Sequence, residues 1–276
     1  MVRTFTQVDV FSATPYSGNA LAVVLDGEGL STEEMQRFAK WTNLAETTFL
    51  LPPTAPEADY RVRIFTTEAE LPFAGHPTLG SCHAWLESGG EHRAEGEIVQ
   101  ECGAGLVRLR RIDGRLAFQA PPLVRSGSVD EELVERIAES LGIKRSDIVA
   151  AEWADNGPGW VGVLLADADS VLALRPGPVP CEVGVAGPYP EGAPCAFEVR
   201  AFIPRQGSTV EDPVTGSLNA SLAQWLLRAG RATAPYVASQ GTAIGCAGRI
   251  HISAGSPDDV WVGGAVITCV TGHVEL

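Results

Sequence analysis

The chain has 276 residues, of which 45% are hydrophobic, so it is long enough to bury the core of one large domain or of two smaller ones. Its 34 acidic residues outnumber its 20 basic ones and give a formal charge of −14. Because nucleic acids and anionic membrane surfaces are polyanions that would repel such a protein, neither is expected as a partner.

The first residues, Met1 to Gln7, show no basic segment followed by an apolar one, and no apolar run approaches the length of a membrane-spanning helix. The default expectation is therefore a soluble, cytoplasmic protein. The six cysteines are scattered without a C-x-x-C pair or a histidine at zinc-ligand spacing, which favours free thiols and no metal site.

Strands and helices are both predicted along the chain. Ser31 with Glu34 three residues later is a capping-box signature, and Ser128 with Glu131 is a second one, so each is expected to open a helix. Alternating or apolar runs predict strands. These runs are Thr6–Val10, Ala20–Leu25 and Tyr60–Phe65. The pattern indicates an α/β (α+β) fold of strands with a few interspersed helices.

The sequence contains an internal repeat with an offset of about half the chain. Val62-Arg63-Ile64-Phe65 followed by Glu70-x-Pro72-x-x-Gly75 recurs as Val199-Arg200-Ala201-Phe202 followed by Glu211-x-Pro213-x-x-Gly216. Two copies of this length predict a duplicated domain, with one half at 1–120, completed by 261–276, and the other at 121–260. A ligand cleft is expected where the halves join.

In each copy a strand is predicted to lead through a Pro/Gly turn into a helix. Pro77 suits the first helical position, so Gly75 and His76 would lie at the helix N-terminus, where free N–H groups favour an anion. The second copy offers Gly216 and Ser217 at the equivalent place, after Asp212. Either turn alone is also consistent with an ordinary strand-to-helix connection. The divergence of the two copies into different polar groups favours an asymmetric site that holds a carboxylate.

A third candidate is Glu46, which precedes the apolar run Phe49-Leu50-Leu51 and would head a strand. Partial desolvation there would raise the pKa of its carboxyl towards the range of a general acid/base, although a solvated glutamate is equally compatible with the sequence. Gly157-Pro158-Gly159-Trp160-Val161-Gly162 fits G-x-G-x-x-G but precedes a strand-like run, so a dinucleotide site is not expected. Ser217 lacks the surroundings of a hydrolase nucleophile.

Four motifs together closely resemble the phenazine-biosynthesis-like (PhzF-like) family, and the similarity runs in order over essentially the whole chain. The motifs are Val8-Asp9-Val10-Phe11 with Gly18-Asn19, Asn43 to Phe49, Glu70 to Gly80 and Glu211 to Ser217. The resemblance implies a diaminopimelate-epimerase-like fold of two similar domains, each a curled sheet around a central helix, with the active site between them.

The resemblance also implies a cofactor-independent isomerase or epimerase that moves a proton on a small carboxylate-bearing substrate, often as a homodimer. It assigns Glu46 as general acid/base, with His76, Asp212 and Ser217 around the substrate. The following residues would contact the substrate: Gly75 and Gly216 through backbone N–H groups, and Asn19.

Epimerases of this fold that use two cysteines carry one in each paired loop, and both loops lack a thiol here, so a single carboxylate base is favoured. Ala20 stands where the family usually has proline, and Gly207 to Val210 is one residue longer and more polar than usual. Two alternatives remain open: a non-catalytic small-molecule binding protein, and a lyase or hydrolase that uses the same base.

Overall fold

The computed structural model describes residues 1–205 and 207–276. It divides into unit 1, residues 1–119 with 263–276, and unit 2, residues 120–262. The repeat had placed these boundaries at 120/121 and 260/261. Within the described residues no helix is both long and apolar enough to cross a membrane. The helices are α1 Thr32–Thr42, α2 Gly75–Glu87, α3 Glu131–Leu141, α4 Ala168–Ala173 and α5 Gly216–Arg228.

About half of the remaining chain is β-strand, and β17 is the strand in which unit 2 ends and unit 1 resumes. The strands are β1 Val2–Val10, β2 Asn19–Val24, β3 Glu46–Leu51, β4 Tyr60–Phe65, β5 Glu70–Leu71, β6 Glu97–Cys102, β7 Gly105–Ile112, β8 Arg115–Gln119, β9 Arg125–Ser128, β10 Ala150–Asp155, β11 Val161–Leu164, β12 Val183–Pro188, β13 Phe197–Arg205, β14 Ser208–Asp212, β15 Tyr236–Gln240, β16 Gly248–Ser256, β17 Asp259–Gly264 and β18 Val266–Glu275.

In unit 1 the sheet runs β18-β1-β2-β3-β4-β6-β7-β8, with the short β5 beside β4. From β1 to β7 the pairings are antiparallel, parallel, antiparallel, parallel and antiparallel. Helix α2 contacts β1, β2, β3 and β8, so the sheet curls around it. The first eight residues of α2, Gly75 to Cys82, are buried.

In unit 2 the sheet runs β9-β10-β11-β12-β13-β15-β16, with β14 beside β13. From β10 to β16 the pairings repeat the order found in unit 1. Helix α5 precedes the second strand of the parallel pair β13 and β15, as α2 does for the parallel pair β4 and β6. It is buried from Gly216 to Leu226. The duplication seen in the sequence is therefore a duplication of sheet topology, and the predicted fold class is confirmed.

The two capping-box predictions had different outcomes. Ser31 caps α1 as predicted: its side chain accepts from the Glu34 N–H and its own N–H donates to the Glu34 carboxylate at 2.9 Å. Ser128 does not cap α3, because it is the last residue of β9 and pairs with Glu152 of β10. The N-cap of α3 is Asp130, and strand pairing has taken the residue that the local motif assigned to the helix.

Candidate functional site

Helix α2 begins at Gly75, two residues earlier than Pro77, which is its third residue and not its first. Pro77 is tolerated there because the first four N–H groups of a helix have no partner within it. The N-cap residue is Ala74, whose side chain has no oxygen with which to cap the helix. Gly75 and His76 are both buried in this first turn, so N–H groups at the positive end of a buried helix lie where an anion would be stabilised.

Glu46, His76 and Asn19 come together in unit 1. The Oε2 atom of Glu46 lies 3.1 Å from Nε2 of His76, although the ring N–H is not aligned well enough for a full hydrogen bond. The Glu46 side chain is 16% exposed and that of His76 only 5%, so the expected partial desolvation of Glu46 is present. Glu46 is the first residue of β3, as predicted.

Burial lowers the pKa of His76 to about 3, so its imidazole is neutral at physiological pH. The Nδ2 atom of Asn19 lies 3.4 Å from Nδ1 of His76. Because an amide nitrogen can only donate, Nδ1 accepts and the single ring proton resides on Nε2, the atom that faces Glu46. The arrangement presents a neutral N–H donor to the glutamate carboxylate.

The position of Asn19 depends on the loop between β1 and β2. The Asp9 carboxylate accepts from the N–H groups of Ser17, at 2.8 Å, and Gly18, at 3.0 Å, and so holds the loop end that precedes Asn19. A side chain at Gly18 would place its Cβ 2.1 Å from the carbonyl oxygen of Val10, which only glycine avoids. The Val-Asp-Val-Phe and Gly-Asn motifs are therefore hydrogen-bonded to each other, and together they position Asn19.

In unit 2, Asp212 lies at the end of β14 and accepts a 2.5 Å hydrogen bond from the hydroxyl of Thr215, the N-cap residue of α5. The buried Gln240 joins the same turn. Its Nε2 donates to the Asp212 carbonyl at 3.1 Å and to Oγ1 of Thr215 at 2.9 Å, while its Oε1 accepts from the Thr215 N–H and from Nδ2 of Asn219. The turn that carries Asp212 is thus tied to the first turn of α5.

Gly216 and Ser217 are the first two residues of α5, and both are buried. The Thr215 hydroxyl is used on Asp212, so it does not cap the helix. The hydroxyl oxygen of Ser217 accepts from the indole N–H of Trp160 at 3.2 Å. The structure therefore gathers Asp212, Gly216 and Ser217 at one helix start in unit 2, as it gathers Asn19, Glu46, Gly75 and His76 in unit 1.

Sequence reasoning missed an arginine–glutamate pair in each copy of the repeat. Arg63 of β4 makes two hydrogen bonds of 2.7 and 2.6 Å to Glu70, which begins the Pro/Gly turn. Arg200 of β13 makes the same paired bonds, of 2.9 and 2.7 Å, to Glu211. The repeat itself contained the signal, because all four residues belong to the recurring motif. Each arginine anchors the strand β5 or β14 that leads to a helix N-terminus.

The buried thiol of α2 and the residues that could bind a metal do not form a reactive centre among the described residues. Cys82 is a fully buried residue of α2, and burial raises the pKa of its thiol to about 12, so it is a poor nucleophile or base. Among residues 1–205 and 207–276, no group of three or more His, Cys, Asp or Glu residues is arranged to hold a metal ion. The titratable groups beside the helix starts are carboxylates and one imidazole.

The family model described as phenazine biosynthesis-like protein matches residues 8–272. The chain belongs to the phenazine biosynthesis-like protein family. Antisense-enhancing sequence 1 of Schizosaccharomyces pombe is 37% identical over 98% of each chain. The trans-2,3-dihydro-3-hydroxyanthranilate isomerase of Pseudomonas aeruginosa is 36% identical over 82% of this chain and 81% of its own.

A solved structure of a predicted epimerase from Pseudomonas aeruginosa superposes on this phenazine biosynthesis-like protein with a TM-score of 0.79, at 25% identity and over 99% of each chain. The resemblance inferred from the four motifs is confirmed, and so is its fold. The protein is an enzyme of the isomerase class, in keeping with its named relatives.

Proposed function

We propose that this protein is a cofactor-independent isomerase or epimerase that moves a proton between two carbon atoms of a small carboxylate-bearing substrate, with Glu46 as the general acid/base. The observation that carries the proposal is the position of Glu46, a largely buried carboxylate 3.1 Å from the neutral imidazole of His76. His76 belongs to the first turn of α2 and Glu46 lies beside it, and the N–H groups of this turn suit a substrate carboxylate.

One carboxylate is sufficient for this reaction. Glu46 removes a proton from one substrate carbon, and the electron pair of the broken C–H bond moves into the adjoining unsaturated system. The same proton then leaves the Glu46 carboxyl for a second carbon, so the enzyme returns to its starting state and the substrate keeps its atomic composition. We assign His76 the role of orienting this carboxylate, since its Nε2 lies 3.1 Å from Oε2 of Glu46, and Asn19 keeps the ring in the tautomer that this requires.

The backbone N–H groups of Gly75 and Gly216, with Asp212 and Ser217, are proposed to hold the substrate carboxylate and its neighbouring polar groups. That the residues of unit 2 act on the same substrate as Glu46 stays a prediction of the duplicated sequence. Relatives at 34 to 36% identity are named for trans-2,3-dihydro-3-hydroxyanthranilate, which makes that cyclic amino acid the first compound to assay. A cytoplasmic location and a homodimer also stay predictions, and light scattering would test the homodimer against the 29.1 kDa chain mass.

The deciding experiment compares Glu46→Gln with the wild type on trans-2,3-dihydro-3-hydroxyanthranilate. The glutamine keeps the size of the side chain but cannot carry the proton, so turnover should fall by about 10²- to 10⁴-fold while the thermal unfolding midpoint and ligand affinity change little. The matched control is Glu33→Gln on α1, an exposed glutamate whose replacement should leave turnover unchanged. Undiminished turnover by the Glu46 variant would contradict the proposal.

Deuterated water gives a second measurement. Because the Glu46 side chain is 16% exposed, its acidic proton should exchange with solvent during some turnovers and leave deuterium on a substrate carbon. A protein that only binds the compound promotes no such exchange, and a lyase or hydrolase would change the product mass beyond the deuterium gained. Either of those results would overturn the isomerase mechanism proposed for this compound.

A further inference from the structure

The loop between β10 and β11 is tightly organised and carries the Gly-Pro-Gly-Trp sequence that had no assigned role. The Oδ1 atom of Asp155 accepts from the N–H groups of Gly157 and Gly159, each at 2.7 Å. Gly159 has φ +98°, a conformation in which a larger residue would be strained. The loop ends at Trp160, a residue that is 2% exposed and whose carbonyl accepts from the Ala154 N–H at 3.0 Å. Trp160 therefore has a fixed place beside the sheet.

Two residues of this loop contact Ser217 in the first turn of α5. The indole Nε1 of Trp160 donates to the Ser217 hydroxyl oxygen at 3.2 Å, and Nδ2 of Asn156 donates to the Ser217 carbonyl at 2.9 Å. The loop and the start of α5 are thus joined by two hydrogen bonds in unit 2. The contacts are made to a residue that the family resemblance places in the substrate site.

The chemistry of the indole determines what the hydroxyl can do. An indole N–H only donates, so the Ser217 oxygen is the acceptor and the hydroxyl proton must point elsewhere. Three other helical serines donate this proton within the protein: Ser81 of α2 donates to the hydroxyl of Thr48 at 2.9 Å, and two donate to backbone carbonyls. Ser221 donates to Leu218 at 3.0 Å, and Ser140 donates to Arg136 at 2.8 Å. The Ser217 hydroxyl has no such acceptor in the part of the chain that the structure describes, although the residue is 91% buried.

We propose that Trp160 is a positioning residue that makes Ser217 a hydrogen-bond donor to an oxygen of the substrate carboxylate. The inference deepens the proposed function and rests on it. With one lone pair of the hydroxyl oxygen engaged by the indole, rotation of the O–H is restricted and its proton lies ready at the start of α5. A carboxylate there accepts a hydrogen bond from the serine hydroxyl and further hydrogen bonds from the N–H groups of the first helical turn.

The first test is a double-mutant cycle of Trp160→Phe and Ser217→Ala, with kcat/KM for trans-2,3-dihydro-3-hydroxyanthranilate as the measurement. Trp160→Phe keeps an aromatic ring but removes the donor, so kcat/KM should fall by about tenfold, the effect of one lost hydrogen bond. Ser217→Ala should lower it by about 10²-fold, as for a lost preorganised donor. Because Trp160 acts through Ser217, adding Trp160→Phe to Ser217→Ala should cause no further loss.

The matched control is Trp41→Phe on α1, which replaces a tryptophan that is 79% exposed and should leave kcat/KM unchanged. If Trp160→Phe lowered kcat/KM by the same factor with or without the Ser217 hydroxyl, the two residues would act independently and the inference would be wrong.

A second test needs no activity. In protein labelled with ¹⁵N at tryptophan, the indole N–H signal of Trp160 should move, and its exchange with deuterated water should accelerate, in Ser217→Ala but not in Glu46→Gln. An unchanged Trp160 signal in Ser217→Ala would overturn the inference even if Trp160→Phe failed to fold. Full activity of Glu46→Gln combined with the expected Trp160 response would remove the proposed base and leave the serine positioning intact.

Discussion

The same arginine–glutamate pair occurs in both units but in different surroundings. In unit 1 the side chains of Arg63 and Glu70 are 24% and 38% exposed, whereas in unit 2 those of Arg200 and Glu211 are 5% and 11% exposed. Each arginine also lies over a phenylalanine two residues further along its strand, at 5.1 Å and 4.9 Å. The geometry was duplicated and the burial was not.

Burial changes what the pair is worth. Water can replace either partner in unit 1, so the pair contributes little beyond orientation. In unit 2 the guanidinium of Arg200 also donates to the carbonyl groups of Val171, at 3.2 Å, and Leu174, at 2.9 Å. The buried charge of Arg200 therefore depends on Glu211 as its counter-charge, and the two copies of the arginine–glutamate pair contribute unequally to stability.

The sharpest way to break this comparison is to remove one carboxylate at a time. Glu211→Gln leaves the buried Arg200 without its counter-charge and should lower the free energy of unfolding by about 3–5 kcal/mol. Glu70→Gln, the matched change in unit 1, should cost about 1 kcal/mol or less. Urea titrations followed by circular dichroism measure both.

Equal losses in the two variants would mean that burial does not distinguish the pairs. A third variant separates charge from packing: Arg200→Met combined with Glu211→Met removes both charges and should recover much of the stability lost in Glu211→Gln.

A somewhat smaller effect is expected at the glutamine that follows each central helix. Gln240 makes four hydrogen bonds around the start of α5, whereas Gln100 accepts from Tyr60 and donates to Thr78. Gln240→Leu should therefore cost about 2–3 kcal/mol and Gln100→Leu about 1–2 kcal/mol, again by urea titration. Only Gln240→Leu should also weaken binding of trans-2,3-dihydro-3-hydroxyanthranilate, because it releases the Asp212 turn; equal binding by the two variants would contradict this.

The effect of pH on stability concerns His76, the second residue of α2, whose counterpart in α5 is Ser217. Burial holds the pKa of His76 at about 3 against 6.5 when exposed, so between these values the unfolded chain binds a proton that the folded one does not. Stability should therefore fall as the pH decreases through this range. His76 should contribute about 1.4 kcal/mol per pH unit to the slope.

The measurement is the free energy of unfolding between about pH 6 and pH 4, where the slope for His76→Gln should be shallower than that of the wild type by this amount. Ser217→Ala should leave the slope unchanged. Parallel curves for wild type and His76→Gln would show that the imidazole is not held neutral by burial.

The sequence repeat made the duplication and the approximate position of both helix starts predictable, because strand pattern, turn residues and helix period agree in each copy. The order of the strands within each unit was not predicted from it. The position of Glu46 at the start of a strand was also predicted from the sequence. The Ser128 cap was wrong because pairing of β9 with β10 is a tertiary interaction that outweighs a local motif. Trp160 and Ser217 are 57 residues apart in the sequence, and their contact depends on side-chain packing, which has no local sequence signature.

The pairing of β1 with β18 has a consequence for synthesis. Val2 to Val10 pairs along its full length with Val266 to Glu275, and all of unit 2 lies between these two strands in the sequence, so β1 is made long before its partner. All of unit 2 leaves the ribosome before that edge of β1 can be covered. Until then the nascent chain presents an open strand edge, the feature that invites mispairing and that chaperones shield. Emergence of β18 from the ribosome is thus the step that closes unit 1.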